Sequence, residues 1–217
     1  VTLSANTILG SDPYNYTWET GQSGNSITVT PTQTETYTIT VVDRYSCSAE
    51  DSITVNILPT PTTDFTTSSP ACENEPVTIT YTGNGTSNAT YTWDFDGGTV
   101  ISGSGSGPYE VSWVTAGNYT VSLDASENGC SSPQTTQSVT VNPNPTADFS
   151  FTEECQGTST VFTNNSTGNG GTIAGSVWDF DGYISQANDT SYTFPNAGTF
   201  TVIHGVATTD GCADQVT

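Results

Sequence analysis

The sequence predicts an all-β protein built from tandem antiparallel β-sandwich domains. Three observations support this prediction: short runs with alternating apolar residues, turn residues between those runs, and a pattern that repeats along the chain. Thr, Ser, Asn and Gly stand where helical proteins carry Lys and Glu, and no stretch shows helical periodicity. Aromatic residues make up 10% of the chain and fall at regular places, which excludes a disordered polypeptide.

The repeat is clearest in the pentapeptide Trp-Asp-Phe-Asp-Gly, which occurs at Trp93–Gly97 and again at Trp178–Gly182. Other marks recur at nearly the same distance: Asp64-Phe65 as Asp148-Phe149, Ala116–Val121 as Ala197–Val202, Cys72 as Cys155 and Cys130 as Cys212. A nearly constant period indicates successive copies of one small domain. We therefore predict three repeats, at residues 1–57, 64–142 and 146–217, called here the first, second and third repeats.

The linkers between the repeats, at residues 58–63 and 143–145, are rich in proline. Proline with threonine or asparagine favours an extended and fairly stiff connection. The chain starts inside a strand-like run at Val1 and stops at Thr217, where a last strand is expected to begin. We therefore expect the first repeat to be truncated at its N-terminal end and the third at its C-terminal end.

Apolar alternation and turn residues predict five main strands in each repeat. They lie at Val1–Ala5, Tyr14–Trp18, Ser26–Thr30, Thr36–Val42, Ser52–Val55, then Pro76–Tyr81, Thr90–Phe95, Tyr109–Trp113, Asn118–Ala125, Gln137–Val141, and then Asp148–Phe151, Thr160–Asn164, Ser176–Phe180, Ser191–Phe194 and Gly198–Val206. Hairpin turns are predicted at Asn128-Gly129 and Asp210-Gly211. The alternating residues Tyr119, Val121 and Leu123 should face the core, and so should their counterparts Phe200, Val202 and His204.

The charge balance excludes several classes of partner. The net charge is −21 although charged residues make up only 11% of the chain, because Arg44 is the single basic residue beside His204. Nucleic-acid binding needs clustered Lys and Arg, and so does attraction to an anionic membrane surface. No stretch approaches the roughly 20 apolar residues of a membrane span. We therefore expect neither nucleic-acid binding nor membrane insertion.

Five cysteines without metal-type spacing indicate an oxidising compartment. The segment from Cys72 to Cys130 is almost equal in length to the segment from Cys155 to Cys212, which predicts one disulfide inside each of the two repeats. Each such disulfide would contribute about 4 kcal/mol in the chain-entropy model. Cys47 corresponds to Cys130 and Cys212, so we expect it to be unpaired within this chain, with a partner upstream of Val1; a free or reshuffled thiol is the alternative.

The pentapeptide and the later segment Ser191–Val202 resemble a PKD (polycystic kidney disease) domain. That family usually shows Trp-Asp-Phe-Gly-Asp-Gly, so the motif here is one residue short. Residues 90–121 resemble the PKD-like repeats of giant Bacteroidota surface proteins. The first repeat, with Trp18–Gly21 and Tyr37–Val41, is similar to the immunoglobulin-like repeats that accompany them.

The resemblance implies tandem immunoglobulin-like sandwiches in an extracellular stalk, as in SprB-type gliding adhesins and other type IX-secreted proteins. It implies no catalytic activity, and we expect the chain not to be an enzyme. His204, the one histidine, takes the inward position of Leu123 and is expected to be a partly buried, hydrogen-bonded structural residue.

Two aspartate pairs, Asp94 with Asp96 and Asp179 with Asp181, are candidate ligands for Ca²⁺, because each lies at i, i+2 at a strand end among oxygen-rich residues. The alternative is that the first aspartate of each pair caps its own turn and the second is solvated. The segment around Ser52, Asp51-Ser52-Ile53, resembles the Bacteroidota O-glycosylation signal.

These observations predict a structural or adhesive segment of a long extracellular surface protein or filament. Its partners would be neighbouring repeats of the same protein and further copies that pair through exposed edge strands. The alternative is a carbohydrate-binding or spacer module of a secreted hydrolase, in which Trp113, Tyr183 and Tyr14 would stack on surface glycans.

Overall fold

The computed structural model describes residues 1–217, and its regular elements are all β-strands. The all-β prediction is therefore confirmed. The chain divides into two compact units, Val1–Thr60 and Pro61–Thr217. No helix in the structure could cross a membrane.

The first unit contains two small sheets that share one core. Its strands are β1 (Thr2–Ser4), β2 (Asn15–Trp18), β3 (Ser26–Thr28), β4 (Glu35–Val42) and β5 (Ser48–Val55). β1 pairs with β3, and β4 lies between β2 and β5. Tyr37 and Ile39 alternate along β4 and point to the same face, where they are buried with Leu3, Trp18 and Ile27.

The second repeat forms a complete sandwich of two sheets. Its strands are β6 (Phe65–Thr67), β7 (Ala71–Cys72), β8 (Val77–Tyr81), β9 (Thr90–Asp94), β10 (Thr99–Ser102), β11 (Tyr109–Ser112), β12 (Gly117–Glu127), β13 (Cys130–Ser131) and β14 (Thr135–Asn142). One sheet has the order β10-β11-β8-β6, and the other has the order β13-β12-β14-β7, with β9 also paired to β12. Only β7 and β14 run parallel.

The core of the second repeat lies between these two sheets. Ile79 and Val111 come from the first sheet, and Val121, Leu123 and Val139 from the second, and all five are fully buried. The predicted inward face of β12 is thus confirmed for Val121 and Leu123. The predicted turn at Asn128-Gly129 is also present, with both residues at positive φ (51° and 82°).

The third repeat has the same architecture with a more aromatic core. Its strands are β15 (Phe149–Phe151), β16 (Ser159–Asn164), β17 (Ile173–Phe180), β18 (Tyr183–Ser185), β19 (Thr190–Thr193), β20 (Ile203–Thr208) and β21 (Ala213–Val216). The sheets have the orders β15-β16-β19 and β18-β17-β20-β21. Phe162, Trp178 and Phe180 form the buried centre, and the strands of the second and third repeats pair only within their own repeat.

One predicted strand, Gly198–Val206, is wrong over its first half. β20 begins only at Ile203, and its pairing with β21 starts at His204, opposite Val216. In the second repeat β14 continues to Asn142 and pairs with β12 back to Gly117. Phe200, predicted to face the core, is consequently 40% exposed.

Candidate functional site

The one disulfide of the structure joins the second repeat to the third. It links Cys72 to Cys212, with a Cα–Cα distance of 5.7 Å and a sequence separation of 140. The predicted pairs inside each repeat, Cys72 with Cys130 and Cys155 with Cys212, do not form, and Cys130 and Cys155 carry free thiols.

The pair within the second repeat is prevented by the length of β12. Cys72 lies beside Asn142, at the end of the sheet where β12 begins with Gly117. Cys130 pairs with Glu127, where β12 ends. At about 3.3 Å per residue these positions are roughly 30 Å apart. A disulfide requires Cα atoms within about 7 Å, so the two cysteines of this repeat cannot meet.

The third repeat separates its two cysteines in the same way. Cys155 lies with Val202 and Thr217 along one groove, at the start of β20. Cys212 follows Thr208, at the other end of that strand. The linker 143–145 is very short, and it brings Cys212 to the end of the second repeat that carries Cys72. The short linker is the sequence feature that could have indicated a disulfide between the repeats. The nearly equal Cys72–Cys130 and Cys155–Cys212 spacings favoured pairing within each repeat instead.

Hydrogen bonds around Glu73 reinforce this contact between the repeats. The Glu73 carboxylate accepts from the backbone N–H of Ala116 at 2.7 Å and from that of Asn144 at 3.2 Å. The Asn144 side chain donates to the Glu73 carbonyl at 3.2 Å, and Asn169 donates to the Asn144 carbonyl at 2.9 Å. The linker is therefore held on both sides. We call Cys72, Glu73, Asn144, Asn169 and Cys212 the junction.

Both aspartates of the pair in the second repeat accept hydrogen bonds from backbone N–H groups. Asp94 Oδ1 accepts from the backbone N–H of Asp96 at 2.9 Å. Asp96, at φ 49°, uses its carboxylate to accept from the backbone N–H of Thr120 at 2.9 Å. The Asp94 bond caps the turn, as the alternative expects, whereas Asp96 accepts a backbone hydrogen bond where that alternative expects a solvated side chain.

The pair of the third repeat is arranged similarly. Asp179 Oδ1 accepts from the backbone N–H of Gly182 at 2.7 Å, and Asp181 adopts φ 57° in the turn. No group of three or more His, Cys, Asp or Glu side chains in residues 1–217 is placed to hold a metal ion. Calcium binding by either pair stays a prediction.

His204 lies fully buried in the aromatic core of the third repeat. Its ring stacks on Trp178 with centroids 3.8 Å apart and meets Phe149 edge-on. The expected partial burial and hydrogen bond are wrong: the side chain is fully buried and neither ring nitrogen has a partner, because aromatic rings surround it. Burial lowers the pKa of the imidazole below its ordinary value, and Asp148 opposes this effect only in part. A histidine that is fully buried between aromatic rings lies out of hydrogen-bond reach of a substrate bound at the surface.

The other residues singled out by the sequence lie apart from the junction. Trp113 is 2% exposed and donates to the carbonyl of Phe95, so it belongs to the core and cannot stack on a glycan. Tyr183 is exposed and Tyr14 is half-buried. Ser52 is exposed on β5, and its O-glycosylation stays a prediction.

Comparison with known proteins supports the resemblance for the second repeat. Residues 64–141 match the family model of the PKD domain. No curated protein matches the chain. The match covers one segment of the chain.

Several solved structures are similar at low identity. The eight N-terminal Ig domains of Down Syndrome Cell Adhesion Molecule match 93% of this chain at 15% identity and a TM-score of 0.44; the chain spans only 32% of that structure. Fibronectin(III)-like modules of Clostridium thermocellum CbhA match 70% of this chain, over 91% of their own length, at 17% identity and a TM-score of 0.31. Similarity at this level does not extend to ligands or partners.

We predict that removal of the disulfide between the repeats lowers stability, whereas removal of the free thiols does not. Cys72→Ser or Cys212→Ser opens a loop with a separation of 140 residues, which the chain-entropy model values at about 5 kcal/mol. Cys130→Ser and Cys155→Ser are the matched controls and should change the free energy of unfolding by less than about 0.5 kcal/mol. Urea denaturation of the four variants measures this. A large loss of unfolding free energy in the Cys130 variant would contradict this prediction and support a disulfide between Cys72 and Cys130.

We predict that Asp94 acts on its turn and not through a metal ion. Asp94→Ala removes the acceptor of the Asp96 N–H and should cost about 1 kcal/mol. This loss should be equal with calcium and with a chelator, as measured by thermal denaturation. A stabilisation of the wild type by calcium that the variant lacks would instead establish a metal site.

We predict that the third repeat loses stability in mild acid because of His204. The folded-state pKa lies below the unfolded value of about 6.5. The contribution to stability is therefore complete above about pH 6.5, and it falls by up to about 1.4 kcal/mol per pH unit below that. Urea denaturation between about pH 5 and 7, above most carboxylate titrations, tests this.

His204→Leu is the matched control, because Leu123 fills the corresponding place in the second repeat. In this variant the free energy of unfolding should no longer fall between about pH 6.5 and 5. Since the chain has one histidine, NMR of the imidazole reports its titration directly. An ordinary pKa in the folded protein would contradict the prediction.

Proposed function

We propose that this chain is a structural segment of a long extracellular surface protein or filament, in which successive sandwiches form a stiff stalk or fibre subunit. The observation that carries this proposal is the junction, where one disulfide and several hydrogen bonds hold two sandwiches in one compact unit. A flexible linker would let the domains rotate freely, whereas a linker bonded on both sides transmits force and direction.

The proposed extracellular location follows from the same bond. Disulfides persist in oxidising compartments and are rare in the cytosol. Because the chain contains only one Lys or Arg, trypsin-like proteases have a single candidate cleavage site, which suits an environment that contains proteases. The PKD match supports an extracellular repeat module, and the resemblance of the repeats to those of large Bacteroidota surface proteins is the basis for proposing that group.

The proposed role is non-catalytic and mechanical. The single histidine is buried in the core of the third repeat, and Asp94 and Asp179 accept hydrogen bonds from backbone N–H groups of their own turns. Under a pulling force the hydrogen bonds of the sheets resist, and the disulfide between Cys72 and Cys212 prevents the chain between them from extending. Partners would then be neighbouring repeats and further copies, with surface glycans as an additional ligand class.

We predict that this disulfide limits how far the chain extends under force. Cys72 and Cys212 are separated by 140 residues in sequence, and each extended residue adds about 3.4 Å. Single-molecule force spectroscopy should therefore show roughly 480 Å more contour length after reduction. Cys130→Ser is the control and should behave as the wild type. Equal contour lengths in oxidised and reduced protein would remove the mechanical basis of the proposal.

A further inference from the structure

The outer face of one sheet is apolar in the third repeat and polar in the second. Strands β17 and β20 pair through Trp178 and His204, as β9 and β12 pair through Trp93 and Leu123, so each position on one face has a counterpart on the other. The second repeat presents six polar residues: Thr90, Thr92, Asp94, Ser122, Asp124 and Ser126. The third repeat presents at the same positions Gly175, Val177, Asp179, Ile203, Gly205 and Ala207. Only one of these six residues is polar.

Exposed apolar side chains on this face form a ridge beside a trough. Val177 and Ile184 are 42% and 51% exposed. They lie on neighbouring strands, because Ile184 pairs with the residue two positions after Val177. Beside them lies a shallow open trough of about 790 Å³, whose lining includes Gly175, Gly205 and Ala207. We call these five residues the apolar face.

The fold of the third repeat does not require glycine at position 205. Gly205 lies in regular pairing with β17 on one side and β21 on the other. A Cβ atom there would meet its nearest neighbours, the Asp214 carbonyl oxygen and the Gln215 Cβ, at the ordinary contact distances of 3.8 and 4.0 Å. Glycine inside a strand weakens the strand and often marks a place where another backbone or a ligand approaches closely. Gly175, in contrast, lies beside a register shift, which accounts for a glycine there.

Neighbouring segments of the chain do not cover this face of a sandwich. All five residues of the apolar face come from β17, β18 and β20, which are internal strands of the third repeat. The corresponding face of the second repeat, which has further chain on both sides, is also open, and Thr90, Thr92 and Asp124 are exposed there. The apolar face is therefore available to another molecule.

Charge indicates which molecule suits the apolar face. Two copies of a chain with a net charge of −21 repel each other over most of their surfaces, and the repulsion is weakest where acids are few. Gly205 stands where the second repeat has the carboxylate of Asp124. Asp179 borders the apolar face and Asp214 lines the trough, and each accepts a hydrogen bond from a backbone N–H of its own chain. A second copy thus meets little opposing charge here.

We propose that two copies of this chain pair through the apolar faces of their third repeats, sheet against sheet, as the two layers of a sandwich pack. A ridge beside a trough is complementary to itself. A twofold axis that runs between them places Val177 and Ile184 of each copy over Gly205 and Ala207 of the other. This inference adds lateral pairing to the proposed stalk or fibre function and rests on it.

The size of the apolar face predicts a weak contact. Four strands about 4.8 Å apart, with five residues of about 3.3 Å each, cover roughly 300 Å². A standard stable interface buries about 800 Å² on each partner. We therefore expect a dissociation constant between about 10 μM and 1 mM for isolated chains. Many such contacts in parallel along two filaments would act together and hold more tightly.

The test is sedimentation equilibrium of the full chain at concentrations up to about 1 mM. The three free thiols, Cys47, Cys130 and Cys155, are changed to serine, so that the disulfide of the junction stays intact and cross-linking through thiols is excluded. The chain should form dimers. Higher salt should strengthen dimerisation, because it screens the repulsion between two anionic chains. A chelator of divalent cations should have no effect.

Substitutions taken from the second repeat test the position of the contact. Gly205→Asp restores the acid of the second repeat and should weaken dimerisation at least about tenfold, because like charges then face each other across the twofold axis. Val177→Thr should weaken it to a smaller extent. Val161→Thr is the matched control, since Val161 is 46% exposed on the other sheet, and it should leave the dissociation constant unchanged. Thermal denaturation checks that each variant is folded.

Amide NMR at increasing protein concentration locates the contact, and the shifts should centre on Val177, Ile184 and Gly205. The proposal is overturned by a chain that stays monomeric at the highest concentration, or by a Gly205→Asp variant that dimerises as its parent does. A Val161→Thr variant that loses dimerisation to the same extent would also overturn it. If force spectroscopy still shows the segment locked by the disulfide, the stalk function stands without lateral pairing.

Discussion

The structure depends on one constraint: the second and third repeats each hold their two cysteines at opposite ends of the sandwich. The 11-residue strand β12 separates Cys72 from Cys130. Cys155 lies near the start of β20, and Cys212 follows the end of that strand. No disulfide can then form inside a repeat, and a bond can form only where the end of one sandwich meets the next. Disulfides usually stabilise a small domain internally. Here the disulfide joins two domains and restrains the distance and orientation between them.

A chain almost without bases must use its acids differently from an ordinary protein. Salt bridges are scarce because only one Lys or Arg is available. The carboxylates instead accept hydrogen bonds from backbone N–H groups, as Glu73 does at the junction, Asp43 in the turn before Cys47, and Asp94 and Asp179 at strand ends. Such bonds to a charged acceptor are stronger than neutral ones. With a net charge of −21, most surfaces of the protein repel one another electrostatically. Arg44 provides the one Lys or Arg charge of opposite sign.

The second and third repeats fill similar sandwiches with different side chains. The second repeat packs aliphatic residues such as Ile79, Val121 and Leu123 between its sheets. The third repeat uses Phe162, Trp178 and Phe180, and it places His204 where the second has Leu123. A neutral imidazole stacked on tryptophan is close to an aromatic hydrocarbon in shape, but it leaves two nitrogens without partners. This substitution makes the third repeat sensitive to protons in a way that the second is not.

The sequence by itself determined the fold class, most strand positions and the inward face of β12, because a period of two residues and turn chemistry are local properties. It also identified the aspartates, whose turn-capping bonds reach at most a neighbouring strand. Only the tertiary structure decided the cysteine pairing, since the nearly equal spacing of the cysteines in the two repeats says nothing about which ends of a sandwich they occupy.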